Sequence, residues 1–156
     1  MSDIFERVLL PVASVEDATA SVRALASQNP GHVVGIHVIE KAGGAPDKAG
    51  VEQREQEGEK ILGAVEGAFA THLPAAGLET DIRYGTDVAE TIFGAAADHD
   101  ATAIVITPRG GSRWVQLLTG DVALDIVTRT DRPVVVLPDL PEGTDGQTGA
   151  DGEGGT

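Results

Sequence analysis

Apolar positions follow two different periods along this chain, and they alternate. Residues 7–12 (Arg7-Val8-Leu9-Leu10-Pro11-Val12), 33–39, 103–106 and 134–137 are short, nearly unbroken apolar runs. Runs of that length without polar alternation fit strands covered on both faces of a parallel sheet. Between them the spacing turns helical. Residues 17–27 place Ala18, Val22, Leu25 and Ala26 on one stripe, and Asn29-Pro30-Gly31 ends that segment. Residues 51–72 align Val51, Ile61, Leu62, Val65, Ala68 and Phe69, with Glu52, Arg54, Glu57, Glu59 and Lys60 largely outside the stripe. Gly58, Gly63 and Gly67 weaken this helix and are expected to let it pack closely on a sheet. Residues 88–96 bury Val88, Ile92 and Ala96 behind a cap at Thr86 or Asp87, and a last helix is expected over 121–130. Residues 78–84 alternate strictly, as a half-exposed edge strand does. Residues 40–50 hold three glycines and a proline and read as a mobile loop.

The resulting order, β-α-β-α-β-α-β-α-β, implies right-handed crossovers. The expected fold class is α/β: a three-layer, Rossmann-like open sheet of five mostly parallel strands with helices on both faces. Residues 1–140 form one domain. Residues 141–156, mostly Gly, Asp, Glu and Thr, read as a disordered acidic tail. The last run, Val134, Val135, Val136 and Leu137, is apolar on both faces yet ends the fold. A bare apolar edge invites pairing, so these four residues are the candidate interface of a two-fold homodimer.

Charge narrows the function. The chain carries 25 acids against 11 bases, a net −14, and only three of the bases are lysines. That balance argues against a nucleic-acid or anionic-lipid partner. It fits a protein working in concentrated salt, where screening relieves self-repulsion. There is no cysteine, hence no disulfide framework and no thiol nucleophile. No run is long and apolar enough to span a membrane, and residues 1–7 lack the features of a signal peptide, so the expectation is a cytoplasmic protein.

Candidate chemistry concentrates after the 103–106 strand. Thr107-Pro108-Arg109-Gly110-Gly111-Ser112-Arg113 is a basic, glycine-bearing loop leading toward a helix at Asp121. In open α/β sheets such a junction is where anions bind. Arg109 and Arg113 suit phosphate, or else pair with the chain's many acids. Trp114 suits either a ligand cover or an interface anchor. His32, His37, His72 and His99 show no metal spacing; His37 reads as a core or rim histidine. Asp17 reads most simply as a helix cap. Ser112 has no histidine near it in sequence, and no evident general base exists, so the chain reads as a non-enzyme.

Taken together, Val8-Leu9-Leu10-Pro11-Val12, Gly85, residues 103–106, Arg109-Gly110, Gly120, Val122 and Arg132-Pro133-Val134-Val135-Val136 resemble a universal stress protein domain over residues 6–138. The resemblance implies a five-stranded parallel sheet of the adenine-nucleotide α-hydrolase-like kind and a dimer through the last strand. ATP-binding members carry Gly-x2-Gly-x9-Gly-Ser/Thr after the fourth strand and an Asp closing the first. Those positions fall here on Thr107, Gly110, Gly120 and Asp121, and on Ala13 beside Val12. Two glycines match and three positions depart. The resemblance therefore implies nucleotide-site candidates at Val12, Ala13, Thr107, Arg109, Gly110, Arg113, Gly120, Asp121 and Val122, for ATP or AMP with Mg. Asp121 either stands in for phosphate at a helix start or leaves a site that still binds through Arg109 and Arg113. Three losses of about 1–2 kcal/mol each would weaken affinity at least a hundredfold if additive. The leading expectation is a homodimeric regulatory module with an eroded nucleotide site, acting on a partner such as a membrane transporter. The alternative is a nucleotide-binding stress sensor holding its ligand between the first and fourth strands.

Overall fold

The computed structural model describes residues 3–41, 48–107 and 121–138. In chain order the elements are β1 (Arg7–Pro11), α1 (Val15–Ala26), β2 (His32–Glu40), α2 (Lys48–His72), β3 (Gly77–Gly85), α3 (Val88–Asp98), β4 (Ala103–Ile106), α4 (Asp121–Arg129) and β5 (Val134–Val136). The strands form one sheet in the order β3-β2-β1-β4-β5. Every pairing is parallel, with Leu9 opposite Val34 on one side and Ile104 on the other. This is the expected α/β architecture, with β1 central and β3 and β5 at the edges.

Strand alternation divides the core in two. Val8, Leu10 and Val12 point to the face where Val22 and Leu25 of α1 meet Val65 and Phe69 of α2. Leu9, Ile36, Ile104 and Ile106 point to the opposite face, against Ile92 and Ala96 of α3 and Ile126 of α4. Each fully buried aliphatic side chain contributes about 1.5–3 kcal/mol. That is why the apolar runs of β1, β2 and β4 lie inside the sheet, where helices cover each face.

Several local expectations shift. The α1 helix begins at Val15, and its cap is Ser14: the Asp17 backbone N–H donates to Ser14 Oγ at 3.1 Å. Asp17 is therefore not the cap but a wholly buried residue of the first turn. The segment expected as loop is shorter, since β2 extends to Glu40 and α2 starts at Lys48; residues 42–47 lie outside the described residues. Asp87 caps α3, accepting the Glu90 N–H at 3.0 Å. Of the three α2 glycines only Gly58 packs closely. A Cβ there would sit 3.2 Å from His37 Cδ2 and 3.3 Å from Ile82 Cδ1, whereas Gly63 and Gly67 face open space. The expected acidic tail, 141–156, lies outside the described residues.

Candidate functional site

Chain connectivity places a crevice at one point of this sheet. After β1 the chain crosses toward β2 over one face; after β4 it crosses toward β5 over the other. The carboxyl ends of β1 and β4 thus part at the switch point where open α/β folds take ligands. Val12, Ala13 and Ser14 leave β1 there, and Thr107 leaves β4. Val12 is buried; its N–H donates to Ile36 O at 2.9 Å, and its carbonyl accepts from His37 Nδ1 at 2.9 Å. That bond puts the His37 proton on Nδ1 and fixes the ring as a brace between β1 and β2. His37 is a rim histidine, and it ties down the very carbonyl that precedes Ala13. Ala13 is half-buried against the α3 side of the core and offers only a methyl group.

Thr107 is wholly buried, and its Oγ1 has no hydrogen-bond partner among the described residues. Alternation from Val105 puts it on the α1 side. Asp17 and Ser21, one turn apart on α1, are likewise wholly buried, and Ser21 Oγ also lacks a partner among the described residues. Polar groups so placed are costly and mark the base of α1 as unlike the rest of the core. Asp121 is the first residue of α4, with Val122 next. Their side chains, and Arg109, Gly110, Arg113 and Gly120 entirely, lie outside the described residues, as do Ser112 and Trp114. The structure thus brings together Val12, Ala13 and Thr107 at the crevice and leaves the basic half of the candidate set unplaced.

The interface candidates separate by exposure. Val136 is 54% exposed, and Val134 and Val135 are partly covered from opposite faces. Leu137 is buried in its own protomer's core. Val127 on α4 is 61% exposed.

A second polar cluster went unread in the sequence. Glu79, Asp81 and Arg83 project from one side of the edge strand β3, and His32, His99, Arg7 and Asp98 converge on them. The His32 bond holds the Glu79 carboxyl below its ordinary value, against some desolvation and with help from Arg7 and His99. Desolvation works against Asp81, yet the hydrogen bonds from Arg83 and His99 outweigh it and hold that carboxyl low as well. The charged residues at alternate positions 79, 81 and 83 were the available signal. Among the described residues no group of three or more His, Asp or Glu could hold a metal ion. No helix of the described residues is long and apolar enough to cross a membrane.

The sequence model of the universal stress protein family matches residues 5–138. None of the curated protein sequences matches the chain. Solved structures share its fold. A universal stress protein from Archaeoglobus fulgidus superposes with a TM-score of 0.62 at 21% identity, covering 85% of this chain and 98% of its own. One from Burkholderia pseudomallei gives 0.66 at 17% identity, over 88% and 99%. A universal stress protein solved in complex with cAMP gives 0.55 at 14% identity, over 84% and 94%.

Proposed function

The chain belongs to the universal stress protein family, and from that premise we propose that it is a non-enzymatic, regulatory stress-response domain: a homodimeric binding module whose nucleotide site has eroded. The observation that carries this reading is Thr107. Its side chain is wholly buried on the α1 side of the sheet, where the family's nucleotide motif would have a glycine. Glycine lets backbone come close to a ligand; a branched residue followed by Pro108 stiffens the backbone and removes an N–H. At the end of β1, Ala13 offers no polar anchor for a nucleoside. Asp121 takes the motif position of the phosphate-binding Ser/Thr and brings a negative charge to it in place of a hydroxyl; like charges about 4 Å apart repel by roughly 1 kcal/mol in water and about 4 at intermediate dielectric. Such a module acts in the cytoplasm by docking on a protein, a membrane transporter being one such partner.

A second reading keeps ATP or AMP, with Mg, in the crevice. It is favoured by the β1/β4 switch point, by the spacing of Gly110 and Gly120, and by the fold shared with a protein solved in complex with cAMP. Equilibrium dialysis with Mg-ATP in concentrated potassium chloride separates the two. The eroded-site reading expects no micromolar binding by the native chain and recovered binding in the Ala13→Asp, Asp121→Ser double variant. Micromolar binding by the native chain makes the protein a nucleotide sensor instead.

A further inference from the structure

The β5 strand is three residues long, and among the described residues it has a neighbour on one side only, with Ile104, Val105 and Ile106 of β4 set against Val134, Val135 and Val136. Short edge strands fray readily, since few hydrogen bonds and little burial oppose the entropy gained on opening. The carboxyl end of β5 is fastened: the Leu137 N–H donates to Ile106 O at 2.9 Å, and the Leu137 side chain is buried. The amino end follows Pro133, which has no N–H to donate; its carbonyl accepts from the Ile104 N–H at 2.9 Å.

Arg132 supplies what that end lacks. Its Nη1 donates to Ala96 O at 3.0 Å and to Ala101 O at 2.9 Å, carbonyls of the last turn of α3 and of the turn into β4. Ala96 O also accepts the Ala101 N–H at 2.9 Å, so the guanidinium closes on a turn already bonded to itself. The rest of the fork goes to Asp131, through Nε at 3.0 Å and Nη2 at 3.4 Å. One side chain, 17% exposed, thus joins the end of α3, the start of β4 and the start of β5. Thr130 holds the main chain beside it: its hydroxyl donates to Arg132 O at 2.7 Å and accepts from the Arg132 N–H at 3.2 Å. A planar guanidinium makes all its bonds together; the compact ammonium of a lysine cannot spread its donors in this way.

We propose that Arg132 is a positioning residue for association: it holds the β5 edge extended and in register before a second copy pairs with it. The inference rests on the homodimer reading and names the side chain that prepares its contact. The physical reason is entropic. Ordering a frayed strand at the moment of association weakens binding, whereas a strand already ordered carries no such cost. Val136, 54% exposed, is then offered on a fixed edge. Removing the guanidinium takes from Ala101 O its side-chain donor and frees the amino end of β5. The apolar cores on both faces of the sheet keep their packing, because Arg132 is no part of either.

The test uses the full chain in concentrated potassium chloride. Arg132→Met keeps most of the stem and removes every donor. By sedimentation equilibrium its dimer dissociation constant is expected to exceed the native value about tenfold or more. Arg132→Lys, which keeps the charge and loses the fork, should lie between the two, and it carries the comparison alone if Arg132→Met does not fold. Ile61→Val, a mild truncation of the core under α2, is expected to lower the thermal midpoint and leave the dimer constant unchanged. Amide exchange in β5 should quicken in Arg132→Met beyond any change in β1 and β2. A native chain that sediments as a monomer removes the homodimer reading, and the positioning role with it. A native dimer whose constant the Arg132 variants leave unchanged overturns the positioning role alone, as does an equal weakening by Ile61→Val.

Discussion

Thr107 condenses the problem into one side chain. Its hydroxyl is buried and has no partner among the described residues, a condition that costs about 1–3 kcal/mol relative to a satisfied group. Replacing it with valine keeps the shape and removes the orphaned polar atom. Thr107→Val is therefore expected to raise the thermal midpoint by about 3 °C, roughly 1 kcal/mol, in calorimetry of the ligand-free chain. A lower midpoint would mean that the hydroxyl is satisfied in solution. His37 shows the opposite situation. Its ring is committed to the Val12 carbonyl, so a histidine beside the crevice serves as a brace and not as a free base.

Glycine marks which parts of an element touch something. Along α2, Gly58 meets His37 and Ile82, while Gly63 and Gly67 face open space. Alanine at an open helical position adds about 0.5–1 kcal/mol through helix propensity. Gly63→Ala and Gly67→Ala are each expected to raise stability by that amount in urea unfolding. Gly58→Ala should return less, because its new methyl presses on the His37 ring and the Ile82 side chain. Equal gains at all three positions would show that α2 does not lie as close to the sheet as described. The β3 strand is the complementary case. Its polar alternate residues are used in an ionic ladder against α3 and not merely turned to water.

For the whole molecule, the two sheet edges are finished differently. The β3 edge carries the charged ladder, a common safeguard against strand pairing. The β5 edge carries three valines, with Val136 more than half exposed. On the homodimer reading a second copy covers that edge. Val136→Lys would place a charge in the buried centre of the interface and is expected to halve the mass measured by sedimentation equilibrium. The readout should be made in high salt, since two chains of net −14 repel each other strongly at low ionic strength. An unchanged mass would remove β5 as the dimer contact.

Periodicity alone determined the order of nine elements, the central place of β1 and β4 and the edge character of β3, because burial on one or two faces writes itself directly into hydrophobic spacing. The glycine spacing pointed to the β4 exit as the place to look for a ligand. Tertiary structure decided what spacing cannot encode. Ser14, not Asp17, caps α1, since a cap depends on which residue leaves the extended conformation. Leu137 turns inward although it directly follows the exposed Val136. His32 and His99, 67 positions apart in sequence, meet on Glu79 because parallel pairing sets β2 beside β3 and the end of α3 returns over them. Contacts between residues distant along the chain depend on strand order and register, and those are settled only when the sheet closes.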